Sequence, residues 1–479
     1  MMRFSFDHLA SLALVVLAVG VIGCSDSTGP SGPPVVISVN GATLPSGPIG
    51  STVIIEGQNF GADQGSGTVL FSSSGGTVAA TIANADDWTD GFIVTVVPAG
   101  TVTGDLVVQT SEGTSTPVTF TVTSAAAFSP STVNWTATSD LPVALSGLAA
   151  ASVDLDSVQV VYALGGADGN NAPQTAVYYA TVSATGALGA WTTTAPLSQA
   201  VAFHRAVVAT PTNSPVAGPG FLYVLGGATD SAGQPTAAIQ RGTLQGDGTV
   251  SAWTSGGALP AALHSFGAAI VFGNLYIWGG VGTGNAPVAT AYRAEIQSTG
   301  ALGAWQTLDA LPFGRGYFGF GAFAGHLYAL GGDSSATAPN AGSLTGAGRI
   351  ATITYAQIDL RTRDLADAGW VNNPGALIKS TSKHTALVAG GSVLVTAGLY
   401  NGAATGATEE SYAQLNADGT VGSVGGATGS NTIQSGGGGN VFNHAVVGYV
   451  DGNGAFHVLV LGGDDVNSPG TKHNKVFFY

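Results

Sequence analysis

Cysteine is nearly absent from this 479-residue chain: Cys24 is the only one, so no intramolecular disulfide can form. Charge is scarce too, at 8% of residues, and it leans acidic, with 12 Lys and Arg against 27 Asp and Glu. Phosphate recognition needs clustered cations, so this balance argues against nucleic acid as a partner. The phosphate-cradling G-x-x-x-x-G-K-[ST] loop, the zinc-holding H-E-x-x-H helix and the G-x-S-x-G nucleophile elbow are all missing. Long apolar runs are missing as well, apart from Leu9 to Gly23, which is short for a membrane span.

Glycine is what the chain has in excess, with 73 residues, and it is not scattered. Doublets stand at Gly165-Gly166, Gly226-Gly227, Gly279-Gly280, Gly331-Gly332 and Gly462-Gly463, with Ala397-Gly398 as a degenerate copy. A unit of roughly 50–65 residues therefore recurs. An apolar, β-rich run precedes each doublet, as in Val160 to Leu164 and Leu275 to Trp278, and reads as a buried inner strand. Two glycines then let the chain take φ > 0 and leave the crowded interior. A further strand follows, as in Val177 to Val182, Ala291 to Ile296 and Ser411 to Leu415, and ends at a turn such as Thr185-Gly186 or Asp247-Gly248. Beyond that turn, at constant spacing, stand Trp191, Trp253 and Trp305, with Val424 in the matching place.

The doublet, the aromatic before it and the outer tryptophan resemble the kelch repeat. The resemblance covers residues 129–479 and implies an all-β fold, with four-stranded blades around a central channel. Six doublets imply a six-bladed kelch-like β-propeller. The last segment, Lys475 to Tyr479, matches the third strand of a blade, and Thr132-Val133-Asn134-Trp135 is expected to supply the fourth. An N-terminal outer strand would thus close the ring and remove a free sheet edge.

Residues 35–123 carry no doublet but many Val, Ile and Thr in short strands, which reads as a small β-sandwich. Gly50 to Gly61, followed by Val97-Pro98-Ala99-Gly100 and Thr103-Gly104, resembles an IPT/TIG immunoglobulin-like domain, implying a spacer or interaction module. At the N-terminus, Arg3 and the apolar Leu9 to Gly23 read as a signal peptide over residues 1–23. Val21-Ile22-Gly23-Cys24 resembles a bacterial lipobox, implying cleavage before Cys24 and lipidation of its thiol. More than one acyl chain gives stable anchoring. Residues 24–34 then form a flexible tether. Ser25 stands where the resemblance would place an Asp for inner-membrane retention, which favours the outer membrane or cell surface of a bacterial envelope.

Candidate site residues gather at the start of the innermost strand. His204, His264, His384 and His444 are expected in one register, with Arg205, Arg315 and Lys383 beside or in place of them. Together they would form a cationic or titratable ring at one mouth of the channel, able to hold a carboxylate or another anion. The kelch resemblance also implies an architectural reading, in which a polar residue here hydrogen-bonds neighbouring backbone and locks blades together. Histidines on separate blades do not suit a metal, and neither a metal nor a cofactor is expected. Asp168, Asp230, Asp333, Asp464 and Asp465 lie on the same side but read as turn chemistry. Glu295 has Thr181, Thr243, Gln357 and Gln414 as equivalents and reads as an exposed polar face. The loop from Asp333 to about Ile353 would overhang the mouth.

The resemblance also bounds the chemistry. Radical-copper kelch oxidases need a cysteine cross-linked to tyrosine, and the single cysteine here sits at the lipid site. The preferred reading is a non-enzymatic, lipid-anchored surface protein whose propeller binds a protein or glycan, with the Ig-like domain as spacer. Two alternatives stay open: a sugar-active enzyme resembling the kelch-type sialic acid mutarotases, and a purely structural envelope protein. An enzyme would bring Arg205, Arg315 and a carboxylate together in one pocket.

Overall fold

Strands rich in Val, Thr, Ala and Gly dominate, as a chain with so little charge and so many β-branched residues dictates. The computed structural model describes residues 32–479 apart from 124–127, 132, 156–157, 336–338, 340–347, 401–409, 428–432, 434–440, 467 and 469. The expected signal peptide, Cys24, most of the tether and most of the loop after Asp333 lie outside the described residues. Among the described residues the helical elements are two three-residue 3-10 turns, Ala85–Asp87 and Thr283–Asn285.

After residue 134 the chain builds six four-stranded antiparallel sheets. The first runs Ala149–Asp154, Gln159–Leu164, Val177–Val182, Thr192–Thr193, each strand pairing with the next. The first strands of the sheets are Ala149–Asp154, Arg205–Ala209, Gly267–Val271, Gly319–Phe323, Thr385–Ala389 and Ala445–Val450. Each packs against the first strand of the next sheet, and the sixth returns to the first, so the sheets close a ring consistent with a β-propeller. The pre-doublet runs are the second strands, next to the innermost ones. Paired on both sides, they are buried almost throughout, as in Gln159–Leu164 and Asn274–Trp278.

The sixth sheet is assembled from both ends of this region. Thr136–Ala137 pairs with Val476–Phe478, Thr136 opposite Phe478 and Ala137 opposite Phe477. The paired residues follow Trp135 instead of preceding it. Val133 and Trp135 are buried in the core of the fifth and sixth sheets with Leu394, Val458 and Val460.

Side chains of the repeat tie each sheet to its neighbour. The hydroxyls of Tyr162, Tyr223, Tyr276 and Tyr328 donate to the carbonyls of Gly248, Gly300, Arg363 and Gly419, each in the outer turn of the following sheet. In the sixth sheet Leu459 holds the tyrosine's place, and Tyr449 on the first strand donates to the Gly186 carbonyl instead. The tryptophans tie backwards: Nε1 of Trp191, Trp253, Trp305 and Trp370 donates to the carbonyls of Ser139, Ala195, Ala258 and Asp309. The fifth sheet departs from the pattern, with Leu394 in place of the tyrosine and Val424 in place of the tryptophan.

Upstream, two sheets share one core of Val53, Ile55, Phe60, Phe71, Trp88, Ile93, Leu106 and Phe120. The rings of Phe71 and Phe120 meet edge to face at 5.3 Å. This unit touches the hairpins at the ends of the first strands and the outer turns, which alternation of strand direction puts on the face opposite the glycine doublets. The Leu44 amide donates to the Pro211 carbonyl. Arg363 pairs with Glu56 at 2.6 Å and lies near the rings of Phe92 and Phe272.

Candidate functional site

At the doublet face, one residue just before each first strand adopts a left-handed backbone: Gly147, Phe203, Ser265, Tyr317, Lys383 and Asn443, with φ between 53° and 57°. Five of the six carry a side chain, at a cost of about 1 kcal/mol or more each. What offsets that strain is a closed circuit of backbone hydrogen bonds. The amide of Phe203 donates to the Gly147 carbonyl, Ser265 to Phe203, Tyr317 to Ser265, Lys383 to Tyr317, Asn443 to Lys383 and Gly147 back to Asn443, at 2.6–3.2 Å. Every sheet therefore contributes one link to a ring around the channel mouth.

The histidines stand behind this ring. His204, His384 and His444 occupy the position after the ring residue, where the other sheets carry Leu148, Phe266 and Phe318. His204, Phe266, Phe318, His384 and Leu148 each lean against the first glycine of the preceding doublet. A Cβ on Gly165 would lie 2.8 Å from His204 Cε1, and one on Gly279 would lie 2.9 Å from Phe318 Cε1. In the five sheets with a glycine there, the wedge from the next sheet leaves no ordinary room for a Cβ, whereas the fifth sheet carries Ala397. His384 Nε2 lies 2.8 Å from the Leu330 carbonyl, and His444 Nε2 lies 2.8 Å from Thr396 Oγ1. Neither ring nitrogen of His204 has a partner. Burial pushes His204 and His444 down to about 3 and His384 to about 4, so all three are neutral at pH 7.

Two expected members fall out of register. His264 precedes its ring residue and bridges to Val281 as Ala202 bridges to Ala228, two positions earlier than the other histidines. Its Nδ1 lies 3.1 Å from Ser265 Oγ, and burial pushes it down to about 3. Arg315 is one position earlier still and fully buried. Its Nη1 donates to the carbonyls of Ala329, Gly331 and Thr352, its Nη2 donates to Thr354 Oγ1 at 2.7 Å, and the guanidinium lies over the Phe313 ring. It fastens the fourth sheet and does not line the mouth. Counting from the strand start alone misses both offsets, because the bridge to the residue after the doublet sets the register.

The mouth holds a pocket of about 30 Å³, and Phe203, Arg205, Ser265, Tyr317, Lys383 and Asn443 are on its wall. Arg205 Nε donates to the Phe266 carbonyl, Nη1 lies 3.4 Å from the His204 carbonyl, and the guanidinium sits 4.6 Å from the Phe320 ring centroid. Burial lowers it to about 9. Lys383 Nζ donates to the Pro339 carbonyl at 2.9 Å and lies over the Tyr317 ring, and burial lowers it to about 7 against the pull of Asp464. Asn443 Nδ2 donates to the same Pro339 carbonyl and to Asp464 Oδ2, each at 3.1 Å. Asp464 in turn pairs with Lys472, both buried.

The loop acids divide. Asp168 and Asp230 accept amides of their own turns, from Asn170 and Ala172 and from Ala232 and Gln234. Asp333 is buried and accepts the Ser335 amide and hydroxyl, and Asp465 lies 3.7 Å from His473 Nε2. Side-chain type alone does not single out Phe203, Ser265, Tyr317 and Asn443, although Phe203, Ser265 and Asn443 each adjoin one of the expected histidines and Tyr317 stands two residues after Arg315. Among the described residues no group of three or more His, Cys, Asp or Glu could hold a metal ion, and no helix is long and apolar enough to cross a membrane.

No family model matches the chain, and no curated protein matches it. Among solved structures it is similar to one titled "Structure of YjhT", at 13% identity and a TM-score of 0.47, over 71% of this chain and 95% of that one. No residue role is carried over from it.

Proposed function

We propose that this chain is an exported, lipid-anchored protein of the bacterial cell envelope, placed at the outer membrane or cell surface through Cys24. In this reading a six-bladed kelch-like β-propeller binds a protein or glycan ligand without catalysis, and an IPT/TIG-like Ig sandwich is its spacer. The observation that carries the non-enzymatic part is the engagement of the mouth's candidate groups in architecture. His204 and His384 press against the first glycine of the preceding doublet, and His444 Nε2 lies 2.8 Å from Thr396 Oγ1. Arg315 is spent on three carbonyls and a hydroxyl, and does not share the Arg205 pocket. An acid–base enzyme needs such groups converging on its substrate.

The test is thermal unfolding of residues 35–479 against neutral sugars, sialic acid, uronic acids, peptidoglycan fragments and calcium, with sugar anomer interconversion followed in parallel. A ligand that binds the folded state at a hundredfold excess over its Kd adds about 2.7 kcal/mol of stability. The expected outcome is binding of a glycan or protein with no turnover. Anomer interconversion lost in Arg205→Ala would replace this reading with the enzyme.

A further inference from the structure

On the face opposite the mouth, one connection is out of proportion to the others. Between the first two strands of a sheet the turns Phe272-Gly273, Ala324-Gly325 and Gly390-Gly391 suffice in the third, fourth and fifth sheets, whereas in the second sheet the chain runs from Thr210 to Gly220 before it pairs again. This segment is held in one shape: Asn213 Nδ2 donates to the Val208 carbonyl and Ser214 Oγ to the Thr210 carbonyl, each at 2.9 Å, and Val216 is fully buried. It also meets the sandwich, because Thr43 Oγ1 donates to the Val216 carbonyl at 3.0 Å and the Leu44 amide to the Pro211 carbonyl at 2.8 Å. Between this segment, the matching turn of the first sheet and Leu44 lies a cleft of about 400 Å³. Small-molecule sites gather on loops of a rigid scaffold and at junctions between folded units, and roughly 300–1,000 Å³ is their usual size.

The walls of the cleft narrow what fits it. Leu44, Leu155, Pro211 and Pro219 make them largely aliphatic, and among the described residues that line the cleft Asp154 alone carries a charge and none is aromatic. Without a cation the walls do not suit a carboxylate or a phosphate. Without an aromatic face they lack the cage that a quaternary ammonium uses. An aliphatic chain ending in a primary ammonium matches both halves, with methylenes against leucine and proline and three N–H donors beside a carboxylate. Asp154 already has an interaction of its own, but a carboxylate offers about four acceptor positions, so it can take a further donor. We propose that the cleft between the sandwich and the first two sheets binds a small aliphatic amine, its alkyl chain along Leu44, Leu155 and Pro211 and its ammonium at Asp154. The net charge of −15 favours the approach of such a cation. This site does not rest on the ligand proposed for the mouth.

The experiment is calorimetric titration of the whole chain with hexylammonium, hexanol and hexanoate at equal ionic strength. The expected result is saturable binding of hexylammonium, binding of hexanol weaker by about tenfold or more, and none of hexanoate. Shortening the amine towards butylammonium should weaken it about fourfold for each methylene removed. Asp154→Asn should weaken hexylammonium about tenfold or more and leave hexanol unchanged, whereas Leu44→Ser should weaken both ligands alike. Both positions are exposed, so neither substitution disturbs a core. The proposal is overturned if the folded chain does not bind hexylammonium, if hexanoate binds as well as the amine, or if Asp154→Asn leaves the amine's affinity untouched. Tighter binding of Nα-acetyl-lysine N-methylamide than of hexylammonium also overturns it, in favour of a lysine on a partner protein.

Discussion

His204 shows how a residue that looks chemical can be architectural. It fills the place that Phe266 and Phe318 fill in the third and fourth sheets, beside a glycine that must lack a Cβ, and both its ring nitrogens are without partners. Burial and the adjacent Arg205 hold it neutral down to about pH 3, whereas the unfolded chain protonates near 6.5. The folded value is depressed, so the base contributes stability above pH 6.5 that is lost as pH falls towards 3. His204→Phe should leave stability at pH 7 within about 1 kcal/mol of the original, because an unpartnered polar group is exchanged for a similar apolar shape. By pH 5 the variant should be ahead by roughly 2 kcal/mol relative to that difference. Denaturant unfolding across this range measures it, and parallel pH curves for the two proteins would defeat the wedge account.

Among elements, the closing strand carries the most weight, since it joins the start of the ring region to its end. Trp135 Nε1 donates to the Glu410 carboxylate at 2.8 Å, where every other tryptophan of the repeat uses a backbone carbonyl. Burial raises Glu410 to about 7, with the tryptophan bond opposing, against 4.5 for the free acid. A raised acid stabilises the fold fully below pH 4.5, and this contribution disappears as pH climbs through 7. Relative to the original, Glu410→Gln should gain on the order of 2–3 kcal/mol between pH 4.5 and 7.5, read by urea unfolding. A difference independent of pH would mean that the carboxylate is not buried at the seam. The repeat was legible in the sequence at this scale because glycine, tyrosine and tryptophan each have one stereochemical duty per sheet. The closing residues were less legible: Thr136–Ala137 pair with the last strand, while the expected Val133 and Trp135 are drawn into the core. The backbone circuit was not legible at all, since Gly, Phe, Ser, Tyr, Lys and Asn have nothing in common as side chains. What they share is φ near +55°, imposed by the neighbouring sheets.

For the whole molecule, the order of strands places the mouth and the upstream sandwich on opposite faces of the ring. The chain enters the sandwich at Val35 and meets the ring at Gly41, whose φ is +65° and whose Cβ, if present, would lie 2.6 Å from the Phe272 carbonyl oxygen. Together with the Arg363–Glu56 pair, this close approach makes the two units one body, whereas a loosely tethered spacer would let the mouth point anywhere. If the tether leads to a lipid at Cys24, a docked sandwich turns the mouth away from the membrane, where a protein or glycan ligand would meet it. Gly41→Val with Arg363→Ala should undo the docking without unfolding either core, because neither position belongs to a hydrophobic cluster. Small-angle X-ray scattering of residues 35–479 should then show a larger radius of gyration and a longer maximum dimension for the double variant. Scattering curves that superimpose would mean that other contacts, such as Leu44 to Pro211, suffice to hold the sandwich in place.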